Sequence, residues 1–151
     1  MPDEPRDRND MLSVTSYDVF LDITRGDQTF LSRAEIHFRY SAPGDLSFAD
    51  LRAVSVRQAT AQGHQLAGQG LYRVTDSAEG SGCMYAKAYR GGAARMYCCF
   101  DVPRLRAPIT FSVRAPAGWS CLSNAAAVSR PPGDGTGSWR FAPTAPMRQG
   151  T

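Results

Sequence analysis

The chain has 151 residues, 17 basic against 14 acidic side chains, and a formal net charge of +3. That length suits one domain with a proper core, and so mild a basic excess calls for neither a nucleic-acid nor a membrane partner. Fourteen glycines and ten prolines are too many for a helix bundle and suit a loop-rich β protein.

The first ten residues, Met1 to Asp10, are charged and lack the apolar core of a signal peptide. No run approaches the roughly 18 apolar residues of a membrane span. The expectation is a soluble cytoplasmic protein with a disordered start over 1–10.

The first periodic stretch is Tyr17 to Ile23. Tyr17, Val19, Leu21 and Ile23 share one face, with Asp18 and Asp22 on the other, which is the period of a half-buried strand. Arg25-Gly26-Asp27-Gln28 reads as its turn. A return strand follows, with Ala34, Ile36, Phe38 and Tyr40 inward and Arg33, Glu35, His37 and Arg39 in water. The two make an antiparallel hairpin. Phe20 falls on the nominally polar face of the first strand, so a homodimer contact or cover from another strand stays open.

Leu46 to Leu51 and Ala53 to Thr60 read as further strand material, and Gln62-Gly63-His64-Gln65 as a turn. Leu71 to Thr75 is a short strand candidate, and Ser77 to Gly82 a loop of turn formers. Alternation returns at Ile109 to Arg114, with Ile109, Phe111 and Val113 inside. Trp119 and Leu122 are expected to continue the core. Ala125 to Val128 and Ser138 to Phe141 flank a proline–glycine connection suited to a hairpin. No amphipathic helix of convincing length occurs. Many short strands with frequent turns predict an all-β fold, a small antiparallel β-sandwich or open barrel. It is read as a single domain over 11–147 with a polar tail over 148–151.

The four cysteines, Cys83, Cys98, Cys99 and Cys121, form no C-x-x-C pair, so a zinc knuckle is not expected. Cys98 and Cys99 point to opposite faces of an extended segment, one thiol buried and one exposed. In cytosol they stay reduced.

The stretch from Cys99 to Trp119 resembles the C-F-D-x-P-x-L-(K/R)-A-x-(F/I)-x-(F/L)-x-V-x-A-P-x-x-W run of the aminopeptidase N family of zinc peptidases. In that family the run lies in the amino-terminal β-domain, ahead of the catalytic domain. Other pieces are similar in the same order. Ser16 to Ile23 resembles the family's first strand, and Phe48 to Thr60 a further short strand. Gly68-Gln69-Gly70-Leu71-Tyr72-Arg73 resembles a G-x-G-L-H-R run, and Leu122-Ser123-Asn124 the L-S-N after the tryptophan. Trp139 to Met147 resembles the W-x-F-x-x-T-x-P-M strand that closes the β-domain.

The departures from that pattern bear on function. The family's zinc is held by an H-E-x-x-H helix and a downstream glutamate. This chain has two histidines in all, His37 and His64. The family's β-domain also contributes a Q-x-E run whose glutamate holds the substrate's amino group. The resemblance puts Lys87 and Tyr89 at its glutamine and glutamate, and neither suits an ammonium. Several strands that the family carries between Leu66 and Gly68 look missing. The chain stops at Thr151, which reads as a shortened relative without the catalytic domain.

These residues suggest a non-peptidase β-domain that binds a small molecule or a protein. No metal or cofactor is expected. The candidate binding residues are Lys87, Tyr89, Arg90 and Arg95, a cationic, aromatic patch suited to an anionic or aromatic ligand. The same residues also fit an ordinary solvated loop. An alternative is an enzyme of another class using Asp101, His64, Tyr89 and Lys87, and nothing in the sequence makes them converge. A further alternative is a piece of an aminopeptidase completed by another chain that carries the zinc.

Overall fold

In a computed structural model the described residues are 11–25, 29–41, 49–53, 55, 60–61, 64–65, 92–133 and 135–148. They form seven strands and one 3₁₀ turn. The strands are β1 (Leu12–Asp22), β2 (Leu31–Tyr40), β3 (Thr60–Ala61), β4 (His64–Gln65), β5 (Ile109–Ala115), β6 (Ala127–Ser129) and β7 (Gly137–Phe141). Five of them make one open sheet in the order β2-β1-β5-β7-β6, and β3 and β4 pair separately. The all-β class is as expected. The sheet is mixed, because β1 and β5 run parallel while the other pairs are antiparallel.

The first strand begins earlier than its alternation indicates. Tyr17, Val19, Leu21 and Ile23 are buried as expected, but so are Leu12 and Val14. The inward positions are even before residue 15 and odd after it. A bulge between Val14 and Ser16 makes that switch. Thr15 is the extra residue, and its hydroxyl donates to the His37 carbonyl at 2.9 Å. Sequence alternation alone breaks off at such a point.

Asp22 was expected in water and is buried at 2 % exposure. Its carboxylate accepts from the Thr24 N–H at 3.1 Å, the Thr24 hydroxyl at 2.6 Å and Arg25 Nε at 2.8 Å. A buried carboxylate is tolerable only when so satisfied. Burial pushes its pKa up, but those hydrogen bonds and the Arg25 charge outweigh it and hold the group at about 2, from 3.8. A lowered folded pKa stabilises above the unfolded value and is lost as pH falls through the folded one. Asp22→Asn is therefore expected to cost about 1–2 kcal/mol near neutral pH, discounted for the half-exposed Arg25. The gap between the two proteins should close as pH falls from 3.8 towards 2. Urea midpoints across that window check it, and a gap that stays constant with pH refutes it.

β2 is an edge strand with Arg33, Glu35, His37 and Arg39 exposed, as read. Ala34, Ile36 and Tyr40 pack on the core, whereas Phe38 is 44 % exposed. Phe38 keeps an edge-on contact, its ring 5.3 Å from that of Phe100. Leu122 was expected in the core and is 96 % exposed. From Trp119 to Ala127 burial alternates, the odd positions half-buried and the even ones exposed. Trp119 and Leu122 are three residues apart and cannot share a face of such a chain.

Leu51 and Arg52 lie outside any strand, and Asp50 makes a one-residue bridge to Cys99. His64 and Gln65, read as turn, form strand β4 against β3. The expected elements at 26–28, 71–75 and 77–82 lie outside the described residues.

The core lies between the inner face of the sheet and the segment 92–107. Ala93, Ala94, Tyr97, Cys99, Phe100, Leu105 and Ala107 from that segment pack against β1 and Ile109. Among the described residues, few of its backbone groups meet a neighbouring strand, and point contacts hold it. The Phe100 N–H donates to the Tyr17 hydroxyl at 3.1 Å, and the Asp101 N–H to Asp50 Oδ2 at 3.0 Å. Cys99 N–H donates to the Asp50 carbonyl at 3.0 Å. Cys99 is fully buried and Cys98 half-buried, close to the expected division.

Candidate binding surface

The inner face belongs to the core, so chemistry falls to the outer face of the sheet and to the loops. Side chains directly opposite on neighbouring strands form rows across a sheet. The register on the outer face gives two such rows. One runs Arg33, Phe20, Ser112, Arg140 across β2, β1, β5 and β7. The next runs Glu35, Asp18, Thr110 across β2, β1 and β5. Residues two apart on a strand lie about 7 Å apart, which sets the spacing of the rows.

Together these residues line an open groove of about 240 Å³. The arginines stand at the two ends of their row, and strand spacing puts their Cα atoms about 14 Å apart. The Arg33 guanidinium lies 5.8 Å from the centre of the Phe20 ring. That contact gives the aromatic on the polar face a cationic partner within the sheet. Asp18 and Glu35 face each other across β1 and β2, a like-charge pair that is unfavourable by itself. Glu35 Oε1 lies 3.3 Å from His37 Nε2. Among the described residues, neither arginine forms an ion pair within 4.0 Å with either carboxylate.

A second cleft, of about 170 Å³, lies at the connection between β6 and β7. Trp119, Trp139, Arg130 and Pro131 line it, with Arg130 5.7 Å from the centre of the Trp139 ring. Gly118 has φ of 76°, and the Trp119 N–H reaches back to the Pro116 carbonyl at 3.3 Å. That is a turn with glycine in the left-handed position, and it sets Trp119 into the cleft wall. The indole Nε1 of Trp139 is buried without a hydrogen-bond partner among the described residues.

Of the residues singled out in the sequence, Arg95 ends the 3₁₀ turn Ala93–Arg95 and is exposed. Lys87, Tyr89 and Arg90 lie outside the described residues. Of the alternative acid–base set, Asp101 is half-buried beside Cys99, and His64 belongs to β4. Among the described residues, no group of three His, Cys, Asp or Glu side chains is placed to hold a metal ion. Burial, and then the Asp50 charge, pushes the Cys98 thiol up, the opposite of what activates a nucleophile. Sequence reasoning missed the outer-face groove. Its signal was present as four polar strand faces, but their alignment depends on strand order.

No family model matches the chain. It is 28 % identical to aminopeptidase N of Streptomyces lividans over 177 residues, with 94 % of this chain covered. The chain spans about a fifth, 20 %, of that relative's length. The aligned span exceeds the chain's own 151 residues, so it opens gaps in this chain, as expected for internal shortening. The native leukotriene A4 hydrolase of Saccharomyces cerevisiae superposes with a TM-score of 0.52 at 14 % identity, covering 99 % of this chain and 30 % of that one. At that identity the likeness is one of fold. The chain resembles the amino-terminal β-domain of aminopeptidase N.

Proposed function

We propose that this chain acts as a stand-alone, non-peptidase β-domain derived from an aminopeptidase N-type enzyme, binding a small molecule or a protein. One observation carries the reading. The 151 residues contain two histidines, one on edge strand β2 and one in β4, and no H-E-x-x-H. A zinc-hydrolase site of the family's kind needs two imidazoles and a carboxylate converging on one ion. What the scaffold offers in its place is surface, and its outer-face groove gathers charge of both signs around an aromatic floor. The proposed setting is the cytoplasm. No helix of the described residues is long and apolar enough to cross a membrane.

The test is hydrolysis of aminoacyl amides by the purified chain, with and without a chelator. No chelator-sensitive turnover is expected, and such turnover would overturn the reading. Native mass spectrometry of the protein from its own host adds the second arm. A metal-free monomer or homodimer carrying an organic ligand is the expected species. A zinc-bearing heteromer with a peptidase subunit would restore an aminopeptidase role.

A further inference from the structure

The outer-face groove holds two arginines and two carboxylates that do not neutralise one another. Arg33 and Arg140 lie at the ends of one row, with Phe20 and Ser112 between them. Asp18 and Glu35 lie together in the next row, with Thr110 beside them. The separation of charge is along the strands, cations on one row and anions on the other. A ligand that satisfies both must carry a cation and an anion about 7 Å apart. Its linker must be apolar, because it crosses between the rows beside the Phe20 ring. Ser112 and Thr110, half-buried in β5, bring one hydroxyl to each row.

The geometry points to a binding site for a small ω-amino carboxylate, with the carboxylate on the arginine row and the ammonium on the Asp18–Glu35 row. An ammonium between the two carboxylates relieves the unfavourable cross-strand pair. A carboxylate between the arginines accepts their fork-shaped donors, which suit a planar anion. The ligand's methylenes cover the exposed part of Phe20. A simple anion meets the arginines but is repelled by the neighbouring carboxylates. A simple amine meets the mirror situation. Selectivity for the zwitterion follows from the arrangement, and affinity is modest because the groove is open to water.

This inference rests on the reading of the chain as a binding domain, and the experiment separates the two. Amide NMR of the isotope-labelled chain is followed during titration with ε-aminocaproate, caproate, hexylamine and β-alanine. Shifts are expected at Asp18, Phe20, Thr110 and Ser112. ε-Aminocaproate should bind about fivefold or more tightly than caproate or hexylamine, the worth of one exposed charge pair. β-Alanine is too short to reach both rows and should bind as weakly as the single-charge compounds. Asp18→Asn should weaken ε-aminocaproate about fivefold and leave caproate unweakened, and Arg140→Gln should do the converse with hexylamine. Arg140 is exposed and Asp18 half-buried, so thermal unfolding of the Arg140 variant should match the parent and Asp18→Asn, which removes a like-charge pair, should be at least as stable. Equal affinity for all four compounds, or no shifts on this face, overturns the site. Shifts near Arg95 or Trp139 instead overturn the site and leave the binding role standing.

Discussion

Replacing Tyr17 by phenylalanine is expected to destabilise the domain by about 1–3 kcal/mol, although it removes a single oxygen. Tyr17 has no solvent exposure, and its hydroxyl accepts the Phe100 N–H at 3.1 Å. Phe100 is itself 3 % exposed, so no water is at hand to replace the lost acceptor. The penalty is that of an orphaned buried donor. Burial raises the phenol's pKa, partly offset by the Phe100 hydrogen bond, so the group stays neutral across ordinary pH. Tyr17→Ala should cost more, about 3–5 kcal/mol, because it also empties the space between β1 and the covering segment. The Tyr17 ring meets Tyr97 edge-on at 6.4 Å, and Tyr97 meets Phe111 at 5.9 Å. The alanine variant removes one end of that chain of rings and should loosen Tyr97 as well. Urea midpoints give the energies, and amide exchange at Phe100 separates the causes. If exchange at Phe100 is unchanged in the phenylalanine variant, the hydrogen bond is not what stabilises this joint.

The run from Cys99 to Trp119 was the clearest signal in the sequence, and its structural content is now visible. Phe100 and Asp101 hold the covering segment to partners 83 and 51 residues away. Gly118 makes the turn that places Trp119. Such residues are legible as a pattern, but their partners are not, because nothing local marks a bond across that distance. The same division applies to the strands. The proline–glycine connection pointed to β7, and alternation located β1, β2 and β5, since a half-buried strand writes its burial into every second residue. It missed Leu12 and Val14 because a bulge reverses the parity, and it misplaced Asp22 because its partners Thr24 and Arg25 are local and polar. The groove was harder still. Arg33, Asp18, Thr110 and Arg140 each belong to a readable outer face. Bringing them together requires β5 to pair in parallel with β1, and a parallel pairing leaves no turn in the sequence to announce it.

The threonine of the closing motif makes a second joint of the same kind, and Thr144→Val is expected to cost about 1–3 kcal/mol. Thr144 is 8 % exposed and lies three residues beyond β7. Its hydroxyl oxygen accepts the Ile109 N–H at 3.0 Å, and its own N–H donates to the Ile109 carbonyl at 3.0 Å. Both backbone groups of the first β5 residue thus end on one threonine. The side chain continues the β5 ladder where β7 has already left it. Valine keeps the shape and the backbone donor but supplies no acceptor, so the Ile109 N–H is left buried and unpaired. Ile109 is 1 % exposed and sits opposite Tyr17 on β1, whose N–H is held by the Pro108 carbonyl at 3.0 Å. Loss of the anchor should therefore be felt at the β1–β5 pairing, which is the joint that forms the groove. Thr144→Ser keeps the oxygen and loses one methyl, and should cost clearly less than the valine change. If serine destabilises and valine does not, the methyl packing matters and the hydrogen bond does not. If amide exchange at Ile109 rises in the valine variant alone, the side-chain acceptor is what ties the closing segment to the start of β5.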